Sequence, residues 1–187
     1  YKDSLVRQEG PFATIEDLGT LGGTISQGMG VALDGTVVGN SLSAGGEPLR
    51  AFVSPTSYPM SDLGSFRSWM GRSTATAVSP SGEYVAGWSE PAISGDAGNI
   101  HQTYHAALWP RHGLSRDLGT IYSGPMGTGC AGTTNPSDPH TLSLSWAKAV
   151  NDSGVTVGTS SWWYDPCGNY GPDDLFPERA HAFRSTG

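Results

Sequence analysis

One unit, written three times, constrains the fold of this chain more than anything else in it. Trp146 to Ser161, WAKAVNDSGVTVGTSS, reads as a strand, a tight turn and a second strand. Ala147, Ala149 and Val157 are small apolar positions, and Asn151-Asp152-Ser153-Gly154 is the turn. Asn and Asp bond their own backbone and Gly accepts positive φ, so such a cluster reverses a chain at low cost. The same unit runs from Thr76 through Pro80-Ser81-Gly82 to Ser89, and from Val31 through Asp34-Gly35 to Ser41.

Two further elements recur in phase with it. An Asp-Leu-Gly turn appears at Asp17, Asp62 and Asp117, at spacings of 45 and 55 residues. A short strand precedes each later turn, as Arg50-Ala51-Phe52-Val53 and His105-Ala106-Ala107-Leu108-Trp109, and returns as His181-Ala182-Phe183-Arg184. Each repeat is thus four short strands, and a unit that cannot bury its apolar face alone must pack on its neighbours. We expect an all-β protein: a leader at 1–11, then one domain at 12–187 with units near 24–66, 67–121 and 122–187. The chain opens on an Asp-Leu-Gly element and ends on an Ala-Phe strand, so strand 12–21 is expected to complete the last unit and hide its edge. That closure gives a propeller-like or pseudo-threefold body in one chain, with a β-trefoil or β-prism as alternatives, or a six-bladed ring from two chains.

Composition agrees. Gly and Pro make up more than a fifth of the 187 residues and only 14% are charged, which argues against a helical protein. Six Trp and seven Tyr are too many for a disordered one. Net charge is −7, with eight Arg, two Lys and no basic cluster, so a nucleic-acid partner is not expected. No apolar run is long enough to span a bilayer, and no membrane insertion is expected. Cys130 and Cys167 lie in Gly- and Pro-rich stretches; we expect a disulfide between them, stabilising by roughly 4 kcal/mol, and a secreted or periplasmic location.

These motifs resemble the HAF repeat, a family of extracellular, mostly bacterial repeats. Asp17 to Gly23 matches its Asp-Leu-Gly-Thr-Leu-Gly-Gly element, His181-Ala182-Phe183 its name-giving triplet, and Asn151-Asp152-Ser153-Gly154 its turn. The middle unit departs at Ala107, where Phe is expected, and the first at Arg50. The second and third Asp-Leu-Gly turns lack the Gly-Gly pair. The resemblance covers roughly residues 12–187. It implies an exported, propeller-like β protein and no particular activity.

Few residues point to chemistry. Asp17, Asp62 and Asp117 are expected to cap their own turns rather than to meet at a cation. His105 and His181 share a repeat position, where we expect packing against a neighbouring unit and a bond to a backbone carbonyl. The i, i+4 pair His101 and His105 makes a metal site only on a helix, which Gly98-Asn99 argues against. No metal and no cofactor are expected. No nucleophile elbow, zinc-protease helix, phosphate loop or dinucleotide fingerprint is present.

The third unit carries two insertions, Tyr122 to Ser145 and Trp162 to Glu178. Long loops on a rigid β scaffold are a usual place for function. The second insertion sets Trp162, Trp163, Tyr164 and Tyr170 beside Asp165, Asn169, Asp173, Asp174 and Glu178. Rings beside carboxylates and amides suit a glycan, whose apolar faces stack and whose hydroxyls bond. Trp162, Trp163, Tyr164, Asp165 and Tyr170 are the expected ligand contacts; the plainer alternative is that the Trp pair packs beneath the loop or against another chain. The acids would serve a polysaccharide hydrolase or lyase, with His181 or His140, only if suitably paired. Calcium ligation and simple solvation are their other readings. The expectation is a glycan-recognition module, with an enzyme on polysaccharide and an assembly module, including pairing of two chains, as the alternatives.

Overall fold

The structure is a computed structural model that describes residues 15–67, 70–91, 104–121, 140–165 and 179–186. It is all-β, with no helix among the described residues. Eleven strands follow in chain order: β1 (Gly22–Val31), β2 (Val37–Ser43), β3 (Leu49–Ser54), β4 (Ser61–Asp62), β5 (Ser73–Val78), β6 (Tyr84–Ser89), β7 (His105–Pro110), β8 (Arg116–Gly119), β9 (His140–Val150), β10 (Thr156–Asp165) and β11 (Arg179–Ser185). They form three antiparallel meanders, β1-β2-β3-β4, β5-β6-β7-β8 and β9-β10-β11. The repeats read from the sequence are these sheets.

Each sheet starts with the same irregularity. Met29, Thr76 and Lys148 are bulged out of register on the first strand, opposite Val38-Gly39, Ala86-Gly87 and Val157-Gly158 on the second. The bulge drives the preceding carbonyl, from Gln27, Thr74 or Trp146, against the glycine, where a Cβ would collide with the oxygen. This is why the second strand carries Val-Gly or Ala-Gly in every unit. The residue paired with that glycine on the third strand is Phe52, Ala107 or Phe183. Both Phe rings lie over their glycine.

The sheets stack in sequence. β5 packs against β1, β2 and β3, and β9 packs against β5, β6 and β7. Between the first two sheets lie Val38, Ala51, Ala75, Val85, Ala107 and Trp109, with Trp109 stacked on Phe66 at 6.4 Å. Between the second and third lie Ala86, Ala106, Leu108, Ala147 and Val150. Small residues on the inner strands let the sheets approach closely, and burying a side chain such as Leu108 contributes about 1.5–3 kcal/mol.

Three expectations change. Among the described residues the third sheet has three strands, and no closed barrel is formed. Residues 15–20 of the expected closing strand 12–21 are outside any strand, and Leu21 makes a single bridge to Ser43; the bonds this segment makes run to β1 and β2 rather than to the third sheet. Finally, His140 to Ser145 and Trp162 to Asp165 are not loop: they extend β9 and β10 in unbroken register, from Ser161↔Leu144 to Asp165↔His140. Alternating Leu and Thr opposite Trp and Tyr suits a ladder, and propensity prevails over the position of these residues in an insertion.

Candidate recognition end

The meander topology gives each sheet two ends. At one, the turn end, the connections 32–36, 55–60, 79–83, 111–115 and 151–155 are five or six residues long. At the other, the crossover end, β2 and β3 are joined by the five residues 44–48, and the segments between the other successive strands lengthen to 63–72, 90–104, 120–139 and 166–178. Every long connection therefore leaves from one end.

The turn end is stitched together locally. Asn151 Oδ1 accepts from Ser153 N and Val155 N, and Asp34 Oδ1 accepts from Thr36 N. Neighbouring turns are joined by Leu33 N to Pro80 O at 2.9 Å and by Ser81 N to Asp152 Oδ1 at 2.8 Å. These bonds favour the carboxylate form, so the Ser81 side chain and amide hold Asp152 below the ordinary value, and the Thr36 amide does the same for Asp34.

The Asp-Leu-Gly carboxylates act as expected: Asp17, Asp62 and Asp117 each accept from the glycine amide two residues on, at 2.7 to 2.9 Å. Each glycine takes positive φ. Asp62 and Asp117 have a second role that the sequence did not disclose. Arg50 Nε lies 3.1 Å from Asp62 Oδ2, and His105 Nδ1 lies 2.9 Å from both oxygens of Asp117. A carboxylate accepts, so Nδ1 carries the proton. The expected backbone partner of His105 is thus a carboxylate on the adjoining strand, and Arg50 is a functional replacement for His at that place. Burial works against the charge of Asp117, yet the hydrogen bonds from His105 and the Gly119 amide outweigh it and hold its pKa below the ordinary value.

The crossover end carries aromatic and paired charged groups. In the third sheet, Trp162, Trp163, Tyr164 and Asp165 occupy the last four positions of β10, paired with Ser143, Leu142, Thr141 and His140. Tyr170, Cys130 and Cys167 lie outside the described residues, as do Asn169, Asp173, Asp174, Glu178 and His101. Sequence reasoning missed a second group at this end. Trp88 and Tyr104 meet edge to face at 4.5 Å; Arg67 pairs with the buried Glu90, and Arg72 with Glu47, both at 3.3 Å. Burial pushes the Tyr104 phenol above its ordinary value. The clue was positional: Glu47, Arg72, Glu90 and Tyr104 each flank a strand at a crossover connection. Among the described residues no three His, Cys, Asp or Glu side chains converge, and no helix is long and apolar enough to cross a membrane. Comparison with family models, with curated proteins and with solved structures gives no match to this chain.

Proposed function

We propose that this chain is an exported recognition module of the HAF-repeat kind, binding an extracellular ligand, glycan first, at its crossover end. The observation that carries the reading is the segregation of connections. The turn end is short and tied turn to turn, while every long connection leaves from the crossover end, beside Trp162, Trp163, Tyr164 and Asp165. A rigid β scaffold with long connections on one end is a common arrangement for binding. Rings with carboxylates supply both the stacking and the hydroxyl bonds that a sugar needs.

The test is a polysaccharide panel titrated against intrinsic Trp fluorescence, with reducing ends assayed in the same wells. A saturable shift without new reducing ends is expected. Trp163→Ala should weaken it at least tenfold, about 1.4 kcal/mol, while far-ultraviolet circular dichroism stays unchanged. New reducing ends would replace binding by a hydrolase or lyase acting through the carboxylates. Silence across the panel would overturn the glycan reading.

A further inference from the structure

Three serines mark how one sheet is joined to the next. Ser73, at the start of β5, accepts from Ala51 N at 3.0 Å and donates to Gly64 O at 2.6 Å, so it clasps β3 and the Asp-Leu-Gly turn of the sheet before it. Ser145 on β9 accepts from Ala106 N at 2.7 Å and donates to Gly119 O at 2.5 Å. Ser26 holds the same position on β1. It donates to Gly19 O at 2.7 Å, the matching glycine of the N-terminal Asp-Leu-Gly. A second bond also recurs: Phe66 N to Ser89 Oγ, Ile121 N to Ser160 Oγ and Leu21 N to Ser41 Oγ, at 3.0 to 3.1 Å. Asp17–Leu21 is therefore held in the place of the outermost piece of a sheet preceding β1, and among the described residues no other strand of such a sheet lies beside it.

The exposure of β1 agrees. Ile25 is 62% exposed where its counterpart Leu144 is 8%, and Val31 is 67% exposed where Val150 is 9%. A cleft between the first two sheets, about 160 Å³, is lined by Gly82, Val85, Trp109 and Pro110 of the second and by Thr36, Val53 and Leu63 of the first. Leu18, Gly35, Val37, Ser54 and Pro55, the counterparts of Leu63, Gly82, Val85, Trp109 and Pro110, line a groove of about 450 Å³ at the start of the chain. Among the described residues, no counterpart of Thr36 or Val53 lines it.

The third sheet shows the reverse deficit. β11 pairs with β10 along one edge, and among the described residues no strand pairs with its other edge, which β4 and β8 cover in the sheets before. Ala51 and Ala106 are 0% exposed, while Ala182 at the same position is exposed. His181 stands where Arg50 and His105 meet their aspartates, and it too is exposed.

We infer that two copies of this chain close a ring of six sheets, each laying its Asp17–Leu21 segment along the open edge of the other's β11. The bonds follow from the two complete junctions: Ala182 N to Ser26 Oγ, Leu18 N to Ala182 O in the manner of Leu63 N to Ala51 O, and His181 to Asp17. Two copies, and no other number, give six sheets; one gives three and three give nine, outside the four to eight blades typical of propeller rings. The junction is heterologous, and a two-fold axis closes it after two copies.

Light scattering on the purified chain should give twice the 19.5 kDa of one copy. A mass of one copy, of three or of an open polymer overturns the proposal. Ala182→Glu should halve the mass and keep a cooperative melt; Ile25→Asp, on the opposing face, is the second variant should the first fail to fold. A double mass that persists in both overturns the strand exchange. Copies carrying Asp17→Cys, mixed with differently tagged copies carrying His181→Cys, should form a mixed disulfide that wild-type mixtures lack. Its absence, or a link confined to single copies of the doubly substituted chain, overturns it. None of these readouts involves glycan, so a failure here is separate from failure of the binding reading.

Discussion

Ala106 and Ala182 hold the same place in two copies of one strand. Ala106 is sealed, with its amide clasped by Ser145; Ala182 is open to solvent. The motifs around them are close, His-Ala-Ala and His-Ala-Phe. What differs is the neighbour: the second sheet is covered by β9, and the third has nothing on its far side among the described residues. In a stacked repeat, burial belongs to the junction rather than to the residue.

Substitutions can break this comparison, the strongest first. Ala106→Glu places a carboxylate in a sealed junction and should cost about 3–5 kcal/mol or prevent folding, since the buried charge has no partner. Ala182→Glu in the dissociated chain should stay within about 0.5 kcal/mol. Urea unfolding of the two variants checks this, and equal losses would mean that the third sheet is covered within one chain.

Gly87→Val comes next. Its side chain would enter the space taken by the Thr74 carbonyl at the bulge, and a loss of about 3 kcal/mol is expected. Here the sheets should agree, because Gly39 and Gly158 face the same obstruction whether or not their junctions are complete. A much smaller loss in the outer sheets would tie the bulge to stacking instead.

Ser73→Ala leaves the buried Ala51 amide and the Gly64 carbonyl without their link, at a cost of about 1.5 kcal/mol. Ser26→Ala loses one bond to Gly19 in a single chain and should cost less, drawing level only if the two-copy ring forms. Denaturation at several protein concentrations separates the two states.

The smallest effect concerns the His105–Asp117 clasp. The folded-state pKa of Asp117 lies below the ordinary value of about 3.9. Its stabilisation is therefore complete above that value and is lost as pH falls through the folded-state value. Asp117→Asn should flatten this part of the acid limb, by less than about 1 kcal/mol for a partly exposed pair. An unchanged acid profile would show that the clasp adds no stability.

Local devices were legible in the residues. Asn151 to Gly154 turns the chain with its own side chain, and each Asp-Leu-Gly carboxylate bonds two residues ahead, so both could be read within a few positions. The candidate site was legible in part. Trp162 to Asp165 stood out as aromatic and acidic, but as loop; their strand pairing with 140–143 depends on residues about twenty positions away. The Trp88–Tyr104 and Arg72–Glu47 group depends on partners equally remote in sequence and was not found.

The sequence alone determined that the chain is all-β, the strand order of the first two repeats and the tight turns, because each rests on period-two alternation, Gly conformation and bonds between near neighbours. The tertiary structure decided the rest. It set the bulge that makes the Val-Gly glycine obligatory, the serine clasps, and the exchange of His105 for Arg50 opposite an aspartate. It also decided which identical alanines are buried. These depend on which backbone lies alongside, and that is fixed only when sheets pack.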